Sequence, residues 1–314
     1  MKILFTSVGR RVELIQAFRN AAEKNNVDLE LIGADVSFTA PALYFCDTKV
    51  EAPRITDKNY IQFLISYCSD HNVDALIPTI DTDLLVLAEN KERFKGTRVV
   101  VSSLENVKIC RDKRLTGNFF QKNGLKFPLT VDNISNYQQS FPAFIKPKDG
   151  SSSINAYKVY NQKELEAYVK VVPDYIIQPF IDGTEYTVDA FCDFEGNPIF
   201  ITPRIRLAVR SGEVLKTKIC QDETIITEME TIIKAFKPCG PITVQLIRDK
   251  ASGADYFIEI NPRYGGGAPL SMKAGADSSE VMIKLLNGQQ IEYCQKAAEE
   301  GAIYSRFDQS IKVG

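Results

Sequence analysis

FIEINPRYGGG, residues 257–267, decides how this chain folds. The run begins as a buried strand and stops at Pro262, which has no N–H to give to a ladder. Successive strand side chains alternate faces, so the pattern predicts Phe257, Glu259 and Asn261 on one side and Ile258 and Ile260 on the other. A carboxylate and an amide oxygen then stand side by side, and a sheet gains little from that pair unless something cationic lies over it. Upstream, PITVQLIRD reads as a strand that pairs with ADYFIEIN through a turn at 249–254. In such a hairpin Gln245 faces Glu259 and Asn261. Glutamine, glutamate and asparagine are hard oxygen donors of low total charge, suited to Mg2+ that keeps its other positions for water and substrate phosphates. Taken alone, E-x-N reads more readily as a hydrogen-bonded polar pair at a strand end.

Three other segments change that balance. AFIKPKDGSSS puts Lys146 at the end of a short apolar strand, followed by Gly150, Ser151, Ser152 and Ser153 in a loop whose N–H groups can close over phosphates. Lys113, in CRDKRL, offers a second ammonium from a helix. In YIIQPFIDGTEYTV, an apolar strand runs into Gln178, Pro179, Phe180 and Ile181, whose free backbone groups can meet the edge of an adenine. Glu185 follows and can accept from ribose hydroxyls.

Composition narrows the remaining choices. The net charge of −2 leaves no electrostatic footprint for nucleic acid, and no apolar run approaches the length of a membrane span. MKILFTSVG reads as a strand, not as a signal peptide. Seven cysteines form no C-x-x-C pair, which points to unpaired thiols in a reducing cytoplasm. The one histidine, His71, sits in SDHNVDAL, read as a turn before a strand, so a catalytic triad or a histidine-rich zinc site is excluded.

Over the first hundred residues, short apolar runs alternate with amphipathic helices, the pattern of a parallel sheet covered on both faces. The first loop, TSVGRR, has only Gly9 where a dinucleotide fingerprint needs three glycines, which argues against an NAD-dependent oxidoreductase. Gly9 and Arg10 instead shape a tight turn where a substrate anion can dock. A helix is expected from about residue 105 through CRDKRLTGNFFQKNG; antiparallel strands follow, with helices around 223–237 and 275–297. The fold class is α/β followed by α+β.

Lys113, Lys146 with its Gly-Ser loop, Q-P-F-I with G-T-E, then Gln245, Glu259, Asn261, Pro262 and Arg263 occur in the order and approximate spacing of the ATP-grasp superfamily. The chain resembles most a free-standing relative of one module of the carbamoyl-phosphate synthetase large subunit. The resemblance implies a Rossmann-like pre-ATP-grasp domain over 1–104 and an ATP-grasp domain over 105–314, with a lid subdomain at about 115–180. By the same resemblance Lys113, Lys146 and Ser151–Ser153 hold ATP phosphates, Gln178 with the Phe180–Ile181 backbone meets adenine, and Glu185 binds ribose. Gln245, Glu259 and Asn261 then hold Mg2+, with Mn2+ as a substitute. Arg263 and Lys146 act on the transferring phosphoryl group, and glycines 265–267 admit the second substrate. The family's adenine hinge often has Glu where this chain has Gln178.

Members of the superfamily mostly join a carboxylate to an amine through an acyl phosphate, which needs positioning and charge neutralisation more than a protein nucleophile. The expected partners are therefore a small-molecule carboxylate and an amine, and a homodimer is compatible with the sequence. Arg204 and Arg206, alternating on one strand, are read either as a cradle for the carboxylate or as a solvated basic hairpin. Asp81 and Asp83 are read as helix caps, with recognition of an amine as the alternative. Two other functions are carried: activation of bicarbonate in the manner of carbamoyl-phosphate synthetase, and a non-catalytic ATP-binding regulatory module.

Overall fold

The alternating first hundred residues form a parallel sheet in the computed structural model, which describes residues 1–150 and 154–314. Its strands are β1 (Lys2–Thr6), β2 (Glu30–Asp35), β3 (Thr48–Glu51), β4 (Ala75–Pro78) and β5 (Arg98–Val99), in the order β3-β2-β1-β4-β5. Along β1, Ile3 and Phe5 enter one core with Leu14, Ile15 and Phe18 of helix α1 (Val12–Lys24). Leu4 enters the opposite core with residues of α2 (Tyr60–His71) and α3 (Asp81–Asn90). The strand order reverses between β1 and β4, so a crevice opens beyond their carboxyl ends.

The helix expected from residue 105 is two helices, α4 (Leu104–Arg111) and α5 (Lys113–Lys122). Asp112 is extended between them, and its carboxylate accepts from the Arg114 N–H, so it caps the second helix. Lys113 thereby opens α5, with its own N–H bonded to the Lys148 carbonyl at 3.0 Å.

A small antiparallel sheet follows: β6 (Ala143–Pro147), β7 (Tyr157–Val159) and β8 (Tyr175–Pro179), in the order β7-β6-β8, backed by α6 (Gln162–Tyr168). The larger sheet contains β9 (Gly183–Cys192), β10 (Pro198–Arg210), β11 (Glu213–Ile219), β12 (Pro241–Asp249), β13 (Asp255–Asn261) and β14 (Ile303–Ser305), ordered β13-β12-β9-β10-β11-β14. Helix α7 (Glu223–Phe236) covers it, burying Ile225, Ile226, Met229, Ile232, Ile233 and Phe236. Phe120 of α5 belongs to this larger core, whereas the small sheet's core draws on Val131 and residues after it. Residues 115–180 thus contribute to both cores, α5 to the large one and the stretch from Val131 to the small one.

The expected helix over 275–297 is replaced by α8 (Ala268–Lys273) and α9 (Ser278–Leu286). Gly275 and Gly288, at φ +117° and +76°, break the run on either side of α9. Met272, Val281 and Met282 pack with Ile3 and Phe5, so the C-terminal helices share a core with the N-terminal sheet and the buried interior does not divide at residue 104. His71 is the last residue of α2 and stacks on Tyr67 at 4.0 Å; left-handed Asn72 ends the helix after it. Among the described residues no helix is long and apolar enough to cross a membrane.

Candidate functional site

The β12–β13 ladder sets Gln245 opposite Glu259 and Thr243 opposite Asn261, but its register slips between Gln245 and Leu246, and Leu246 pairs with Phe257. This bulge overturns the simple alternation read from the sequence. Phe257 is fully buried with Ile260 in the large core, while Ile258, Glu259 and Asn261 all line one cavity. Gln245 lines the same cavity. Asn261 Nδ2 donates to Glu259 Oε1 at 3.0 Å, which leaves the amide oxygen and the rest of the carboxylate as acceptors. One carboxylate and two amide oxygens on adjacent strands suit a hard divalent cation that takes its other ligands from water and phosphate.

Both lysines reach this cavity, whose volume is about 640 Å3, within the usual range for small-molecule sites. Lys113 Nζ, on α5, donates to the Gly150 carbonyl at 2.9 Å. Lys146, next to last in β6, is buried and makes no ion pair among the described residues. Burial pushes its ammonium down to about 8; the nearby Lys113 charge adds to the depression and Glu259 opposes it. Burial likewise lowers Lys113, against the pull of Glu259 and Asp149. Glu259 is thus near enough to both lysines to act on their charge. Ser151, Ser152 and Ser153 lie outside the described residues.

At the hinge, the Phe180 N–H donates to the Pro142 carbonyl at 3.0 Å, so that N–H is already engaged by protein. The reason is geometric: the pairing of β6 with β8 extends one residue beyond Pro179, and backbone groups point alternately toward and away from the neighbouring strand. Ile181 lines the cavity, and its N–H makes no hydrogen bond among the described residues. Gln178 is buried, and its Nε2 donates to Thr130 Oγ1 at 2.8 Å. Thr130 Oγ1 in turn donates to the Pro128 carbonyl, so its hydroxyl can only accept from Gln178. That relay fixes the Gln178 amide with its oxygen away from Thr130. Glu185 is half-exposed at the cavity edge, 3.2 Å from Arg206 Nε.

The arginines are less available than the sequence suggests. Arg204 and Arg206 both line the cavity, but Arg204 is almost fully buried and donates through Nε to Asp189 at 2.8 Å. Asp189 also accepts from Ser271 Oγ at 2.6 Å, which makes it the anchor of this wall. Arg206 pairs with Glu185 and donates to Thr187 Oγ1 and the Gly212 carbonyl. Arg263 donates through Nη2 to Asp81 at 2.6 Å, joining the end of β13 to the start of α3. Neither acid caps α3, whose N-cap residue, Ile80, has no capping side chain. Asp81 faces Arg263, and fully buried Asp83 accepts from Thr6 Oγ1.

The three glycines also read differently. A Cβ on Gly265 would lie 2.8 Å from Thr243 Oγ1, on Gly266 2.8 Å from Arg11 Nη1, and on Gly267 2.9 Å from Arg204 Nη2. They admit neighbouring protein side chains, not a ligand alone. Sequence reasoning missed Arg11, Thr130 and Asp189. It stopped at Arg10, which is exposed and pairs with Asp308; Arg11, one residue on, turns inward to the cavity. Burial pushes Arg11 down to about 10, Arg263 adding to the effect while Glu213 and Asp81 oppose it.

Two family models match the chain: a PylC-like N-terminal domain over residues 3–101 and an ATP-grasp domain over residues 110–267, the latter 158 of the 314 residues. The carbamoyl phosphate synthase large chain of Thermoanaerobacter sp. (strain X514) is 25% identical over 222 residues, covering 63% of this chain and 20% of the relative. The 3-methyl-D-ornithine–L-lysine ligase of Methanosarcina barkeri is 24% identical over 180 residues, covering 57% of this chain and 42% of the relative. This chain therefore spans less than half the length of either curated relative. Among solved structures, an L-amino acid ligase from Bacillus licheniformis superimposes with a TM-score of 0.71 at 20% identity, covering 91% of this chain and 74% of that one.

Proposed function

Because the chain belongs to the ATP-grasp family, we propose that it is a ligase that joins a small-molecule carboxylate to an amine and releases ADP and phosphate. The carboxylate oxygen attacks the γ-phosphorus of ATP while the bond to the bridging oxygen breaks and ADP leaves. The amine then attacks the acyl carbon, the C–N bond forms as the C–O bond to phosphate breaks, and the nitrogen's proton leaves with or to the departing phosphate. The observation that carries this reading is the convergence in one cavity of an oxygen-donor face, Gln245, Glu259 and Asn261, with the ammonium groups of Lys113 and Lys146.

In this reading the hinge accepts adenine through the Gln178 oxygen and the Ile181 N–H, and Glu185 meets ribose at the rim. Gln245, Glu259 and Asn261 would hold Mg2+, or Mn2+ in its place, which when bound neutralises charge across the terminal phosphates. Arg263, held by Asp81, stabilises the phosphoryl group in transfer. The free thiols suit a reducing cytoplasm.

The test is an ADP-release assay with ATP and Mg2+ over amino acids, sugar acids and simple amines, omitting each component in turn. A second arm, bicarbonate with ammonia, is warranted by the carbamoyl phosphate synthase relative. ADP release that needs neither a carboxylate nor an amine would count against the proposal.

A pH dependence follows from Lys146. Its charged form is the one that holds phosphate, and its value in the free protein is about 8. Below that value the ammonium is already present; above it, nucleotide binding must take up a proton. The ATP dissociation constant is therefore expected to rise by about tenfold per pH unit above pH 8, where an ordinary lysine would leave it flat until about 10. Calorimetric titration of ATP between about pH 7 and 9.5 reads this directly. A constant affinity over that range would show that Lys146 does not carry the phosphate contact.

A further inference from the structure

Six cationic side chains line the cavity among the described residues: Arg11, Lys113, Lys146, Arg204, Arg206 and Arg263. Three already face a carboxylate: Arg204 has Asp189, Arg206 has Glu185 and Arg263 has Asp81. The lysines share the neighbourhood of Glu259, where phosphates would lie. Arg11 has neither. Among the described residues it makes no ion pair, and the one hydrogen bond of its side chain is a long one, 3.4 Å from Nη2 to the Thr79 carbonyl. A guanidinium that lines the cavity with no ion pair of its own keeps its donor fork for an anion that arrives with the ligand.

The charged groups around Arg11 are Arg263, Glu213, Asp81 and Arg306, a set that includes neither lysine. It therefore stands beside Arg263, on the side of the cavity where the acyl phosphate would form, and not beside the lysines. The Cβ position of Gly266 lies 2.8 Å from Arg11 Nη1 and 3.7 Å from Glu213 Oε1, so a cation and an anion converge on one glycine. Glu213 is half-exposed, and its only ion pair among the described residues is a long one with Arg306 at 3.5 Å. Opposite charges this close on one wall match a zwitterion, the planar fork taking a carboxylate and the glutamate an ammonium. Bicarbonate or a simple amine would satisfy only one of them.

Resting on the ligase reading above, we propose that the amine substrate is an α-amino acid, with its carboxylate held by Arg11 and its amino group facing Glu213. The site lies where Arg11, past the carboxyl end of β1 near the point at which the strand order reverses, meets Glu213 at the start of β11.

The experiment measures ADP release with ATP, Mg2+ and a fixed carboxylate found in the screen. The amine is varied among the common amino acids and, for each, the amine that lacks the carboxylate. The expected result is that an amino acid serves and that its decarboxylated partner needs a concentration about 100-fold higher, the size of one lost charge-assisted contact. Arg11→Gln is expected to raise the amino-acid KM by a similar factor, about 100-fold, with the ATP KM changed by less than about twofold, and Arg11→Lys to recover part of the loss. The comparison of the two amines needs no variant, so it stands even if Arg11→Gln misfolds.

A decarboxylated amine that works equally well overturns the proposal, as does an unchanged amino-acid KM in folded Arg11→Gln. Turnover with bicarbonate and ammonia but with no amino acid overturns it too, while leaving the ligase reading intact. No ADP release with any carboxylate and amine sinks both.

Discussion

Glu259→Ala is expected to lower ADP release by about a thousandfold even at saturating Mg2+, the scale of losing an electrostatic stabiliser of the transferring group. Glu259 is the one carboxylate in the proposed donor set, so its loss leaves two neutral amide oxygens, which hold a divalent cation poorly. The same change removes the acceptor of Asn261 Nδ2 and the negative charge that opposes the depression of Lys146. The ammonium that should hold phosphate becomes easier to deprotonate as the metal site is lost. The side chain is only partly buried, and its strand is at the edge of the sheet, so the melting temperature should move little. Turnover within about tenfold of the parent, with an unchanged Mg2+ requirement, would remove Glu259 from the metal site.

Arg263→Ala is expected to lower kcat by about a thousandfold while changing the ATP KM little, because the guanidinium is assigned to charge that develops only during transfer. The geometry supports that division. Nη2 is anchored on Asp81 at 2.6 Å and Nη1 lies 3.3 Å from the Tyr264 carbonyl, so the planar group is held in one orientation at the cavity wall. Nε is buried with no partner among the described residues, which marks a side chain not fully satisfied by them. Arg263→Lys should not rescue kcat, since one ammonium cannot meet Asp81 and the phosphoryl group in the same fork. Steady-state kinetics with ATP varied separate the two constants. An equal fall in affinity and no fall in kcat would move Arg263 to ground-state nucleotide binding.

Much of the scaffold was legible because it follows from periodicity. Alternating apolar runs and amphipathic helices produced the parallel sheet, and the hairpin between Gln245 and Glu259 was readable because cross-strand register follows from a short turn. The slip at Phe257 was not readable. A bulge costs one residue of pairing and leaves no mark in composition, and only the packing of Phe257 beside Ile260 in the core reveals it. The break at Asp112 was half-visible, since an aspartate at that place is a capping residue as well as a helix residue.

The chain's own residue order determined which chemical groups the site could draw on: Lys113 and Lys146, a glutamine–glutamate–asparagine set, a cluster of arginines and no more than one histidine. Which of those groups remain open to a ligand was decided only by the tertiary structure. Asp189, Glu185 and Asp81 neutralise Arg204, Arg206 and Arg263 from distant positions in the sequence, and Arg11 is left facing the cavity with no carboxylate partner among the described residues. The physical reason is that charge pairing acts through space over a few ångströms, whereas local pattern reports only what one segment can form.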